Sequence, residues 1–118
     1  MLSIAEENYI KQLLSLSLDR EAKEGIGTNE LALSLNVKPS TVNDMLKKLR
    51  QKELIDYEKY GKIQLTATGR KTGMDILRKH RLWETFLYQK LDFTWDEVHE
   101  VAEQLEHIQS NKLIEKLD

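Results

Sequence analysis

The sequence predicts a mainly α-helical protein whose helices are interrupted once by a short β-hairpin. Apolar residues recur at helical spacing over most of the 118 residues, which favours amphipathic helices. Two short runs of alternating β-branched, aromatic and polar residues flank Tyr60-Gly61, a natural hairpin turn. The single proline, Pro39, suits the first turn of a helix, where its missing N–H would be unpaired in any case.

Capping signals and apolar spacing place the first helices. Ser3 and Glu6 form a capping-box pair, and the apolar residues after them predict a helix over about residues 4–18. Thr28 is expected to cap a short second helix. Pro39 opens a longer amphipathic helix, whose core-facing residues are Val42, Met45, Leu46 and Leu49.

Two short helices joined by a tight turn are typical of a helix-turn-helix, and the hairpin after them is typical of a wing. We therefore predict an N-terminal winged helix-turn-helix domain with a small two-stranded wing over residues 1–70. The second helix of the helix-turn-helix, which begins at Pro39, would enter the major groove of double-stranded DNA, with basic side chains near phosphates. The same pattern also occurs in proteins that bind no DNA. The candidate DNA-binding residues are Lys38, Pro39, Ser40, Thr41, Asn43, Asp44, Lys47, Lys48, Lys59 and Lys62.

Residues 71–118 are predicted to form an α-helical metal-binding and dimerisation domain. The predicted helices after the wing begin at Thr68, at the capping pair Thr94 and Glu97, and at Ser110, and the second of them is expected to end near residue 108. Three helices this apolar have more surface to bury than a chain of this length can cover, so we predict a homodimer.

Charge and composition limit the kinds of site and partner that the protein can have. Residues 36–81 carry a net charge of +7 and residues 82–118 a net charge of −6, which suggests a polyanion-binding surface in the middle of the chain. Chance segregation of surface charge is the alternative. The absence of cysteine excludes disulfides, thiolate catalysis and sulfur-ligated metals. Without a long apolar run or a signal-peptide pattern, the protein is expected to be cytoplasmic and to have no membrane partner.

All three histidines have a carboxylate at helical spacing. Residues three or four apart share one face of a helix, so each histidine and its neighbouring carboxylate can converge on one point. Imidazole nitrogens and carboxylate oxygens suit divalent transition metals. The alternative is a solvated face with weak surface ion pairs. The candidate ligands are His80, Glu84, His99, Glu103, Glu106 and His107.

Catalysis is not favoured by the sequence. It contains no Gly-rich phosphate loop, no His-Glu-x-x-His signature and no nucleophile with an obvious base. The Glu-x-x-His motifs of di-iron bundles are also absent, because Gln104, Asp96 and Leu77 stand three residues before the histidines. We predict that the protein is not an enzyme and has no small-molecule substrate.

The runs EENYIKQLLSL, LTATGRKTGMDILRKHRLWETFL and WDEVHEVAEQLEHIQS resemble the metal-dependent repressors of the diphtheria toxin repressor family. The resemblance covers nearly the whole chain. It implies a dimeric winged-helix repressor that binds operator DNA of metal-homeostasis genes when loaded with one or two Mn(II) or Fe(II) ions per subunit. A metal-independent winged-helix regulator and a winged-helix protein-interaction module are the alternative functions.

Carried over by position, the resemblance makes all six histidine and glutamate candidates metal ligands. It also implies a first-helix ligand at the position of Asn8, which offers one neutral carbonyl oxygen. Lys11 replaces a second acidic ligand of the manganese type, and Glu103 stands where iron-type members often have cysteine. Glu103 therefore favours manganese.

Overall fold

A computed structural model of the protein describes residues 2–18, 20, 25–57 and 61–118. Within these ranges the chain forms α-helices and one two-stranded antiparallel sheet, which confirms the predicted mainly helical fold with a wing. The elements are α1 (Ile4–Leu18), α2 (Thr28–Leu35), α3 (Pro39–Gln51), β1 (Ile55–Tyr57), β2 (Ile63–Leu65), α4 (Ala67–Lys90), α5 (Trp95–Leu105) and α6 (Asn111–Leu117). The chain divides into two compact units, Met1–Met74 and Asp75–Asp118.

The first unit packs α1, α2, α3 and the wing around one apolar core. The predicted inward face of α3 is confirmed, since Val42, Leu46 and Leu49 are fully buried and Met45 packs against them. Burial of one face leaves the other face of α3 in solvent. The buried core residues are Tyr9, Ile10, Leu13, Ile26, Leu31, Ala32, Val42, Leu46, Leu49, Leu54, Ile55 and Ile63.

The starts of α1 and α3 agree with their sequence signals, whereas the start of α2 does not. The Ser3 N–H donates to Glu6 Oε1 at 2.9 Å and the Glu6 N–H donates to Ser3 Oγ at 3.1 Å, so the predicted capping box forms. Pro39 lies in the first turn of α3 as expected. Thr28 is not the cap of α2, because it is already helical and the extended residue before it is Gly27.

The wing is a short antiparallel hairpin. Ile55 pairs with Leu65 and Tyr57 with Ile63, and the backbone of Ile26 adds a bridge to Ile63. The predicted turn residue Tyr60 and the candidate Lys59 lie outside the described residues.

Helix α4 begins at a cap two residues earlier than predicted. The hydroxyl of Thr66, rather than that of Thr68, accepts the Gly69 N–H at 3.1 Å. Thr66 Oγ1 also donates to the carbonyl of Glu53 at 2.7 Å, which joins the start of α4 to the end of α3. A Cβ at Gly69 would lie 2.0 Å from the Leu54 carbonyl oxygen, so only glycine permits this close approach.

The second unit has its own apolar core. It contains Trp83 and Leu87 from α4 together with Val98 and Ala102 from α5. These contacts fix which face of α4 lies against α5. Among the described helices, none combines the length and apolar character that a membrane crossing requires.

Local signals set the ends of α5 and α6. The capping box of Thr94 and Glu97 forms as predicted, and so does the Ser110 cap, whose hydroxyl accepts the Leu113 N–H. Helix α5 ends at Leu105 rather than near residue 108, because a tight turn brings the Ile108 N–H to the Leu105 carbonyl.

Candidate metal centre

Three side chains with metal-binding atoms converge in the second unit. His80 and Glu84 stand one turn apart on α4, and His99 stands on α5. The packing of Val98 and Ala102 against Trp83 turns the His99 side of α5 toward α4. One ligand atom from each of the three side chains lies within 4.8 Å of the other two.

The three donor atoms form a small triangle. His80 Nε2 lies 3.2 Å from His99 Nδ1 and 3.4 Å from Glu84 Oε2, and the Glu84 oxygen lies 3.7 Å from His99 Nδ1. Donors held about 2.1 Å from one cation stand roughly 3.0 Å apart at right angles and roughly 3.4 Å apart at tetrahedral angles. The triangle therefore fits one divalent cation, with two nitrogens and one oxygen as ligands.

Each imidazole also contacts a second carboxylate through its other ring nitrogen. Glu106 Oε1 lies 3.1 Å from His80 Nδ1, and Glu103 Oε1 lies 3.0 Å from His99 Nε2. A carboxylate on the outer nitrogen of a metal-binding histidine fixes the tautomer and the ring orientation. Glu103 and Glu106 thus hold the two rings so that the remaining nitrogens face each other.

The network runs from the interior to the surface. Glu106 is fully buried and the His80 side chain is 8% exposed, whereas the His99 and Glu103 side chains are 64% and 52% exposed. Burying a carboxylate is costly unless it is paired, so the contact with His80 offsets part of the cost for Glu106. The exposed end at His99 gives a cation from solvent direct access to the triangle.

The sequence-predicted ligands are brought together in part. His80, Glu84, His99, Glu103 and Glu106 form one connected network, and half-buried His107 follows Glu106 in the turn after α5. Asn8 lies in the first unit, where it is exposed on α1. Sequence spacing indicated the pairs four residues apart. It missed the contact between Glu106 and His80, because 26 residues separate them.

The candidate DNA-binding residues that the structure describes are all exposed. They lie on the outer face of α3, in the turn before it and immediately before β2: Lys38, Pro39, Ser40, Thr41, Asn43, Asp44, Lys47, Lys48 and Lys62. Lys59 lies outside the described residues. Arg50, three residues after Lys47, is also exposed on α3 and was not among the predicted candidates; its guanidinium carbon lies 5.1 Å from the centroid of the Tyr57 ring.

Comparison with known proteins covers both units. A family model described as the iron dependent repressor N-terminal DNA binding domain matches residues 1–63. A second, described as the iron dependent repressor metal binding and dimerisation domain, matches residues 66–118. The chain belongs to the iron-dependent repressor family. The family resemblance seen in the sequence is thereby confirmed.

Relatives in this family are transcriptional regulators by name. An uncharacterized HTH-type transcriptional regulator of Methanocaldococcus jannaschii is 36% identical over 111 residues, which are 94% of this chain and 87% of the relative. The HTH-type transcriptional regulator MntR of Geobacillus kaustophilus is 33% identical over 94% of this chain and 76% of its own length.

Solved structures of repressors share the fold. ScaR with bound Zn²⁺ superposes with a TM-score of 0.82 at 40% identity and covers 96% of this chain. A manganese-dependent transcriptional repressor in complex with manganese gives 0.79 at 34% identity and 96% coverage, and T. acidophilum IdeR gives 0.79 at 30% and 99%. The present chain spans about half the length of these three chains, with shares of 51%, 50% and 54%.

Proposed function

We propose that this protein is a metal-dependent transcriptional repressor, a cytoplasmic homodimer that binds operator DNA of metal-homeostasis genes when loaded with Mn(II) or Fe(II). The observation that carries the proposal is the donor triangle of His80, Glu84 and His99, in a chain whose first unit is a winged helix-turn-helix. The names of the similar regulators and the manganese in one similar structure support it.

His80, Glu84 and His99 are the residues that would hold a divalent cation. The cation supplies positive charge to a region where several carboxylates stand close together, and so relieves their mutual repulsion. Glu103 and Glu106 orient the two imidazoles. We further propose Glu103, Glu106 and His107 as additional metal ligands of the second unit, and Asn8 as a candidate ligand of the first unit. The nitrogen and oxygen donors, without sulfur, suit Mn(II) or Fe(II).

The exposed face of α3 provides the DNA-reading surface. We propose that Ser40, Thr41 and Asn43 lie near base edges in the major groove, while Lys47 and Lys48 contact phosphates. The remaining candidates assist: Lys38, Pro39, Lys59 and Lys62 near the backbone, and Asp44 as an acceptor for a cytosine amino group.

An exposed aromatic surface in the second unit supports a homodimer. The rings of Tyr88 and Trp95 stack at 4.3 Å with an interplanar angle of 21°, yet the two residues are 44% and 63% exposed. Leu91, three residues after Tyr88, is 50% exposed. Exposed apolar surface of this kind is usually covered by a partner. A second copy of the chain is the proposed partner, because two helix-turn-helix units then read two half-sites.

Metal and DNA binding are coupled through α4 in this proposal. Helix α4 begins in the first unit and carries His80 and Glu84 in the second, so a cation that also binds His99 ties this helix to α5. The metal then selects the DNA-binding arrangement from those that the protein samples. By linkage, DNA must strengthen metal binding by the same factor.

The experiment that tests the proposal follows binding of a fluorescent duplex from upstream of the protein's own gene. The purified protein is assayed with Mn(II), with anaerobic Fe(II) and with chelator. Binding that appears with metal and disappears with chelator supports the proposal and ranks the two ions. Binding indifferent to chelator supports a metal-independent regulator instead. The absence of salt-dependent binding supports a protein-interaction module.

A further inference from the structure

The last turn of α3 is linked to the wing by a contact between a cation and an aromatic ring. The guanidinium carbon of Arg50 lies 5.1 Å from the centroid of the Tyr57 ring. Arg50 is exposed, whereas Tyr57 is half-buried at the end of β1 and pairs with Ile63 of β2. Tyr57 also packs against the core of the first unit, so its ring is a fixed platform for the guanidinium.

In the contact with Tyr57, the guanidinium carbon of Arg50 lies over the ring. A guanidinium that lies over a ring uses its face, and its five N–H donors point outward in the plane. Within the described part of the chain, the Arg50 side chain has no hydrogen bond and no ion pair. Arg50 is therefore a partly immobilised cation whose donors can make two parallel bonds to a phosphate.

The position of Arg50 on α3 matches the DNA-reading face. Asn43, Lys47 and Arg50 follow one another at four and three residues, so they form one stripe along the helix, and all three are exposed. When α3 lies in the major groove and the wing approaches the adjacent minor groove, the phosphate backbone that separates the grooves passes between them. The Arg50–Tyr57 pair stands where α3 and the wing meet.

We propose that Arg50, held by Tyr57, is a further phosphate-binding residue that contacts the DNA backbone between the two grooves. Tyr57 acts through Arg50 and is a positioning residue. This inference rests on the proposed function, since it requires that the first unit binds DNA. It adds a phosphate contact, which is independent of base sequence.

The test measures the affinity of the full chain, loaded with Mn(II), for a fluorescent duplex of arbitrary sequence between about 50 and 200 mM salt. Arg50→Gln should weaken binding about tenfold at low salt and reduce the slope of log affinity against log salt by about 0.9, the value for one phosphate contact. Lys116→Gln, an exposed lysine on α6, is the control and should bind as the wild type does.

Variants of Tyr57 separate positioning from folding. Tyr57→Phe keeps the ring and should bind as the wild type does. Tyr57→Leu keeps apolar packing but removes the ring, and should weaken binding about threefold when Arg50 is present and not at all in the Arg50→Gln background. A melting curve for each variant reports the folding of the first unit separately.

The outcomes distinguish this inference from the proposed function. A wild-type protein that binds DNA, together with an Arg50→Gln variant of unchanged affinity and salt slope, overturns the inference and leaves the proposed function standing. Equal losses from Tyr57→Leu in both backgrounds overturn the positioning role of Tyr57. A wild-type protein that shows no salt-dependent binding to any duplex contradicts the proposed function, and the inference with it.

Discussion

Glu106 Oε1 lies 3.1 Å from His80 Nδ1, so a fully buried carboxylate after α5 holds a histidine of α4. The other ring nitrogen of His80 faces His99 and Glu84 in the donor triangle. Because the same imidazole contacts both Glu106 and the other two residues of the triangle, a change at Glu106 should alter the metal affinity of the triangle.

Replacing Glu106 with glutamine should weaken Mn(II) binding at the triangle. Glu106→Gln keeps the shape of the side chain but removes the charge that makes the His80 imidazole a stronger metal ligand. Loss of such a partner typically lowers metal affinity by about 10- to 100-fold, and we expect a loss of about that size here. Calorimetric titration of the metal-free protein with Mn(II) measures the effect. Glu100→Gln, an exposed carboxylate beside His99 on α5, is the matched control. An unchanged Mn(II) affinity in Glu106→Gln would remove Glu106 from the metal centre.

The double substitution Lys47→Ala and Lys48→Ala should weaken DNA binding at every sequence. Two lost phosphate contacts reduce the slope of log affinity against log salt by about 1.8. Binding to an upstream duplex and to an unrelated duplex, each measured over a range of salt, checks this prediction. The pair Lys112→Ala and Lys116→Ala on α6 provides a control with the same change of charge. If only one of the two duplexes lost affinity, the lysines would be base readers instead of phosphate contacts.

Substitution of Gly69 by alanine should destabilise the first unit strongly. The added Cβ would stand 2.0 Å from the backbone oxygen of Leu54, and backbone cannot move aside as a flexible side chain can. We expect a loss of about 2 kcal/mol or more in the free energy of unfolding, measured by denaturant titration. Gly27→Ala is the control, because its Cβ would meet only the end of the Lys62 side chain at 3.6 Å and should cost less than about 1 kcal/mol. Equal losses from the two substitutions would contradict the close approach at Gly69.

The stability of the first unit should fall in acid through Glu6. The hydrogen bond from Lys52 Nζ, followed by that from the Ser3 N–H, holds the pKa of Glu6 below its ordinary value of 4.5. A carboxylate with a lowered pKa in the folded state adds stability above the unfolded pKa, and that stability is lost as the pH falls through the folded pKa. The free energy of unfolding should therefore decline as the pH falls below about 4.5.

Two variants isolate the Glu6 contribution to this acid sensitivity. Glu6→Gln keeps a side chain that can cap α1 but removes the charge, so its decline in acid should be shallower than that of the wild type. Lys52→Gln should show the same change, since Lys52 contacts Glu6 at 2.7 Å. Denaturant titrations at a series of pH values make the comparison. A decline in Glu6→Gln as steep as in the wild type would assign the acid sensitivity to other groups.

Sequence reasoning succeeded where a local signal decides the structure. The bounds of α1, the first turn of α3 at Pro39 and the capping box of Thr94 and Glu97 all depend on residues a few positions apart. The caps of α2 and α4 were misplaced, because a threonine near a helix start offers a hydroxyl whether or not its backbone is extended. The backbone conformation puts Gly27 and Thr66 at the caps instead.

The sequence predicts which site residues pair within one helix, but not which residues make contact between different elements. His80 with Glu84 and His99 with Glu103 follow from spacing, since residues four apart share a helix face. The contact of Glu106 with His80 depends on how α5 packs against α4. The contact of Arg50 with Tyr57 likewise depends on how β1 of the wing lies relative to α3. Both are products of tertiary packing, which spacing along the chain does not encode.

In the proposed function, a cation held by the donor triangle controls DNA binding. The most direct test compares the ratio of DNA affinity with Mn(II) to DNA affinity with chelator in the wild type and in Glu84→Gln, which alters one corner of the triangle and no residue of the first unit. If the triangle controls DNA binding, this ratio should be about 100-fold for the wild type and only a few-fold for Glu84→Gln, with equal affinities of the two proteins in chelator. A Glu84→Gln variant that keeps the full wild-type ratio would show that the triangle does not control DNA binding.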